Sequence, residues 1–113
     1  MNWDAANGEV ASIWRRGVAG EGLHDDERTR FFWLFRNFVQ VHSAGFYDAR
    51  DLEPENQASN AEIIARLVTS NPGLRRAWPG TADAFRRARR EEFVCAVETK
   101  IAELDPTASS EPL

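Results

Sequence analysis

Few side chains in this 113-residue chain belong to the types that do chemistry: two histidines, one cysteine and an uneven scatter of charge. His42 sits, at about 100° per residue, in the middle of an apolar arc with Phe31, Phe35 and Phe38. An imidazole there is either a pH-sensitive or catalytic group or a core side chain held by one or two hydrogen bonds. The structural role is the expected one, with Tyr47 or a backbone carbonyl as partner. His42 is then the sole catalytic candidate. His24-Asp25-Asp26-Glu27 carries metal-capable groups, but consecutive side chains at a helix start diverge. Acids there favour the positive end of the helix dipole instead. One cysteine and two histidines fall short of a structural zinc set. No metal and no cofactor is expected. Cys95 lies one step off an apolar stripe, with no base placed beside it, and is expected to be a small packing residue.

Charge is the other chemical resource. Residues 75–90 hold Arg75, Arg76, Arg86, Arg87, Arg89 and Arg90 against Asp83, while residues 91–113 set Lys100 against six acids. The whole chain is at −4, so it is not a polyanion binder overall. The basic block has two uses. It can contact phosphate on nucleic acid or anionic lipid, or it can pair internally, with Asp83–Arg86 and Asp83–Arg87 at favourable helical spacing. Internal pairing is expected, because no helix-turn-helix pattern and no interleaved aromatics accompany the block. Gly17, Gly20 and Gly22 lack the Lys-Ser/Thr and the preceding strand of a phosphate loop. Neither a Ser-His-Asp nor an H-E-x-x-H pattern is present.

The elements that position these groups read as helices throughout. Asp4 can cap a first helix to about Arg16, which Gly17, Gly20 and Gly22 break. A second helix opens at the acidic cluster and reaches about Ala44, with Gly45 as its stop. Its apolar residues, from Phe31 and Phe32 to Val41, span about 180°, which predicts a central helix with more than one neighbour. Trp33 falls outside that arc, beside Arg36 and Gln40. Phe46, Tyr47 and Leu52 follow in a turn. Pro54 suits the first turn of a third helix, ending before Asn71-Pro72-Gly73. A short helical turn, Leu74 to Trp78, precedes Pro79-Gly80, and the last helix runs from Thr81 or Asp83 to about Leu104. The expected fold is therefore all-α: a small bundle of about four helices with a short turn before the last. Residues 1–104 form one helical domain and 105–113 a disordered tail.

The succession of Ile13-Trp14-Arg15-Arg16-Gly17, Arg28-x-Arg30-Phe31, an aromatic helix ending at Gly45-Phe46, and Ser70-Asn71-Pro72-Gly73-Leu74-Arg75 with Trp78 and Phe93 resembles a loose group of small uncharacterised bacterial all-helical proteins. It spans roughly residues 13–104. The resemblance implies a helical fold and brings no activity or functional residues. Many members of that group look as if they carry an N-terminal membrane helix, and Met1-Asn2-Trp3-Asp4 begins without one.

Twelve aromatics and 42% apolar residues are enough for a core and exclude wholesale disorder or a disulfide scaffold. The single cysteine and the lack of a signal-peptide pattern make the cytoplasm the expected location. Peripheral membrane association is the alternative, since no transmembrane stretch is present. The function these features favour is a non-enzymatic helical protein-interaction module, with a protein partner or a homodimer. Trp33, Arg86, Arg87, Arg89 and Arg90 are its candidate contact residues. Anion binding through Arg75–Arg90, to nucleic acid or anionic lipid, is the alternative, and a small enzyme using His42 the third.

Overall fold

The computed structural model describes the backbone of residues 3–105 and the side chains of residues 7–105. Of the expected tail, 105–113, residues 106–113 lie outside the described residues, as do the side chains of Trp3 and Asp4. Five helices follow one another: α1 Trp3–Ala19, α2 Asp25–Leu52, α3 Pro54–Ser70, α4 Pro72–Arg87 and α5 Glu91–Leu104. The chain is all-helical, with no strand among the described residues. No helix there is long and apolar enough to cross a membrane.

Each boundary has a local cause. At the end of α1, Gly20 adopts φ +80°, its N–H donates to Gly17 O at 3.0 Å, and the Glu21 N–H donates to Arg16 O at 2.9 Å. This paired pattern closes the last turn and requires a left-handed residue. His24 precedes α2 with extended backbone, and the Glu27 carboxylate reaches back to accept from its N–H at 3.1 Å, as in the reciprocal half of a capping box. Single residues, Glu53 and Asn71, connect α2 to α3 and α3 to α4. Pro54 and Pro72 occupy the first turns that follow, where a missing N–H costs nothing.

Three sequence expectations are corrected. Gly45 does not stop α2, which continues through Phe46, Tyr47 and Leu52. The glycine is there for space: a Cβ at Gly45 would lie 2.7 Å from Asn60 Oδ1 on α3. Pro79-Gly80 does not break the chain either. Leu74, Ala77, Trp78, Thr81, Ala82 and Phe85 are buried on both sides of Pro79, and that continuous stripe outweighs the ~3 kcal/mol a helical proline costs. The real break falls at Ala88–Arg90, inside the expected last helix. There Arg89 takes φ +64°, its N–H donates to Arg86 O at 3.0 Å, and the Arg90 N–H donates to Phe85 O at 2.9 Å. It is the same closing pattern as at Gly20, built without glycine. The expected short turn and last helix are therefore two full helices.

One apolar core joins all five helices. Ile13 of α1, Phe35 and Val39 of α2, Ile64 of α3, Leu74 of α4 and Phe93 of α5 are fully buried within it. Phe46, Phe85 and Phe93 stack edge-on or tilted at centroid distances of 5.4 and 6.2 Å. The buried arc of α2 is narrower than its composition suggests. Val41 is 68% exposed and Phe32 38%; nine residues apart, they lie about 180° from each other, at the two edges of the apolar arc.

Candidate functional site

Helix α2 presents Arg28, Phe32 and Arg36 at successive steps of four residues, which puts them on one side of the cylinder. Trp33 stands beside them, 56% exposed, with the Arg36 guanidinium 5.2 Å from its ring centre. Facing this side is α4, whose Gly80 comes so near Phe32 that a Cβ would sit 3.3 Å from the Phe32 Cζ. Three depressions follow one another along this side of α2; the first and third reach α4, and the second is lined by α2 alone. The first, about 330 Å³, is lined by Phe31, Phe32, Arg28 and Arg76 together with Gly17, Gly20 and Gly73. The second, also about 330 Å³, lies over Phe32 and Trp33 between Arg28 and Arg36. The third, about 150 Å³, runs from Trp33 and Arg36 to Ala84 and Ala88. Neighbouring depressions share Arg28 and Phe32, then Trp33 and Arg36, so they form one groove with an aromatic floor.

The arginines of this groove lack the firm ion pairs that six others make, a condition they share with Arg15, Arg89 and Arg90 among the described residues. Arg16, Arg30, Arg66 and Arg86 each hold a carboxylate at 3.3 Å or less. Arg75 holds Asp105 at 2.9 Å and Arg50 holds Glu92 at 3.2 Å. Along the groove, Arg36 and Arg76 make no ion pair among the described residues, and Arg28 has only Asp25 at 3.8 Å. Arg76 donates weakly to Gly20 O at 3.4 Å. Arg87 is exposed and without an ion pair among the described residues. At 100° per residue it lies within about 40° of Arg76 on the α4 cylinder. Against the Glu21 carboxylate, which lines the first depression, Arg28, Arg36 and Arg76 leave the groove a surplus of positive charge beside exposed aromatic surface.

The expected arginine block is divided by the fold. Asp83 pairs with Arg86 at 2.9 Å rather than with Arg87, and Arg86 also binds Glu98. The Glu98 hydrogen bond, chiefly, raises the Arg86 pKa. Arg90 turns away to cover the Tyr47 ring at 4.7 Å, and Arg89 forms the left-handed joint. Of the block, only Arg76 lines the groove, and Arg87 lies on the same side of α4. Phe32, Arg28, Arg36 and Arg76 were not singled out from sequence as a set. The spacing of Arg28, Phe32 and Arg36 was visible, but the helix lying opposite them was not.

His42 is half-buried and leans on the Phe38 ring at 4.9 Å. Its partner is Asn60, not Tyr47. The Asn60 amide nitrogen donates to Asn56 O at 2.9 Å, which turns Oδ1 toward His42 Nδ1 at 3.1 Å. That arrangement requires Nδ1 to carry the proton. The Tyr47 hydroxyl instead accepts from the Phe93 N–H at 3.2 Å. The acidic start of α2 also acts structurally. Arg16 grips the Glu27 carboxylate at 2.6 and 3.3 Å and, with the His24 N–H, holds its pKa down at about 2. No group of three or more His, Cys, Asp or Glu among the described residues is placed to hold a metal ion. Cys95 is exposed on α5, contrary to the packing role expected of it. Phe93, Val94 and Val97 are the residues that α5 buries, which turns position 95 outward.

A scan of protein-family models, a search of curated proteins and a search of solved structures each return no match to this chain. The fold and the groove define a five-helix protein with one aromatic, cationic face.

Proposed function

We propose that this chain is a non-enzymatic protein-interaction module that binds a protein partner through the α2–α4 groove. One observation carries the reading: exposed Phe32 and Trp33 coincide with Arg28, Arg36 and Arg76, arginines that lack firm carboxylate partners. Tryptophan and arginine are the residue types that dominate binding energy at protein interfaces. Exposed aromatic surface rimmed by polar groups supports a docking role. His42, with Nδ1 committed to Asn60, supports a structural role rather than the enzyme reading.

The test is co-purification of tagged wild-type protein and of Trp33→Ala from native cells, with and without nuclease. A partner protein that survives nuclease and is lost with Trp33→Ala, while the melting temperature holds, supports the module. The anion-binding reading draws on the same surplus charge at Arg76 and Arg87. It predicts that the bound material is nucleic acid or lipid and that it is released steeply by salt. Recovery of nuclease-sensitive material alone decides for that reading.

A further inference from the structure

The opposite end of α2 carries the chemical complement of the groove. Leu52, at the α2–α3 corner, is 81% exposed, the highest value among the exposed large apolar side chains. Around it stand Asp48, Asp51, Glu53 and Glu55, all exposed. None of these four carboxylates makes an ion pair among the described residues; Glu53 binds only the Asn56 amide. Of the nearby cations, Arg50 is committed to Glu92 at 3.2 Å and lies over the Tyr47 ring, which Arg90 also covers. The corner is also stiff. A single residue, Glu53, joins the helices; its N–H donates to Ala49 O at 2.9 Å and its carbonyl accepts from the Asn56 N–H at 2.9 Å. Leu52 thus stands outward as an apolar knob beside four carboxylates that make no ion pair among the described residues.

We propose that the occupant of the groove is this acidic corner of a second copy of the chain, so that molecules associate head to tail. The proposal rests on the interaction-module reading and names its partner. Leu52 matches the Phe32–Trp33 floor, and the carboxylates match Arg28, Arg36 and Arg76. The two surfaces cannot meet within one molecule, because one straight helix separates residues 28 and 52 by about 36 Å. A symmetric groove-to-groove dimer would set arginine against arginine, which disfavours it. The contact is therefore heterologous, and each added copy leaves a free groove and a free corner, giving chains or rings. A corner already fixed in shape loses little freedom on docking. A depression of about 330 Å³ admits one apolar side chain and its flanks, so the association is weak and is screened by salt.

Sedimentation equilibrium of the purified full chain, under reducing conditions, tests this. Wild-type protein is expected to gain mass with concentration beyond a dimer at low salt and to lose it at high salt. Leu52→Ala weakens the association roughly tenfold or more, as loss of a central anchor does. The decisive experiment mixes two exposed-site variants: a groove variant, Trp33→Ala with Arg36→Glu, and a corner variant, Leu52→Ala with Asp51→Arg. Each alone is expected to be monomeric with an unchanged helical spectrum. Mixed, they pair one to one through the remaining groove and the remaining corner, and growth stops there. A monomeric wild type at every concentration overturns the proposal, as does a mixture that stays monomeric while wild type associates. If wild type is monomeric yet still captures another protein through Trp33, self-association fails and the module reading stands. If Trp33-dependent capture is also absent, both fail.

Discussion

Phe35 has no exposed surface and lies where α2 meets the rest of the core. Its truncation to alanine is expected to destabilise the protein by ~3–5 kcal/mol, read as a lower denaturant midpoint with native-like helical signal before the transition. Glu27 acts through charge instead. Its carboxyl is held at about 2, against 4.5 when free, first by the hydrogen bond from Arg16 and then by the His24 N–H. A depressed carboxylate stabilises the native state above its unfolded value. That contribution is full above 4.5 and is lost as pH falls toward about 2. Glu62, lowered by Arg66 and then Lys100, adds in the same direction. Thermal midpoints followed down through this window are expected to fall less steeply for Glu27→Gln than for wild type. Parallel curves would mean that the Arg16–Glu27 pair does not link pH to folding.

Helix boundaries separate what the sequence makes legible from what it does not. Pro54, Pro72 and the acidic start of α2 carry chemical signals that act locally, and the chain follows them. Gly20 does as well. The joint at Arg89 is invisible for a physical reason: Arg86-Arg87-Ala88-Arg89-Arg90 contains no glycine, no proline and no residue that prefers the left-handed region. The stop is imposed by burial of Phe85 on one side and Phe93 on the other. Arg89 at φ +64° therefore holds a conformation that glycine adopts without penalty. Arg89→Gly is expected to stabilise the protein by roughly 0.5–1 kcal/mol, since relief of the backbone outweighs glycine's extra unfolded-state freedom. A lower melting temperature for this variant would contradict that account. Gly45 and Pro79 mislead in the opposite sense, because packing against Asn60 and the buried stripe of α4 overrides their local preference.

At the scale of the whole molecule, the all-helical class was legible from aromatic and aliphatic spacing, while the groove was legible only in part. Trp33 stands out from sequence as the aromatic off the stripe. Which arginines join it depends on which carboxylates the fold brings to the others, and that is a tertiary fact. Asp105 reaches Arg75 from 30 positions away and Glu98 reaches Arg86 from 12; what these pairs leave over determines the charge of the face. The seam between α1 and α4 belongs to the same scale. A Cβ at Gly73 would lie 1.6 Å from the Gly17 carbonyl oxygen, and one at Gly17 would lie 2.2 Å from the Phe31 ring. At Gly73 backbone meets backbone, with no side chain free to yield. Gly73→Ala is expected to cost at least about 3 kcal/mol, the upper part of the overpacking range, measured by chemical denaturation.

That seam also has a consequence in time. Residues 17 and 73 are far apart in the chain, whereas α2, α3 and α4 follow one another through single-residue connections. Neighbouring helices, α1 and α2 included, can pair early at small loop-closure cost, but the Gly17–Gly73 seam forms only once α4 is in place. The loss from Gly73→Ala is then expected to fall mostly on the unfolding rate, with the folding rate nearly unchanged. In stopped-flow chevrons the unfolding limb would rise while the folding limb stayed in place, marking the α1–α4 seam as late to form and early to open.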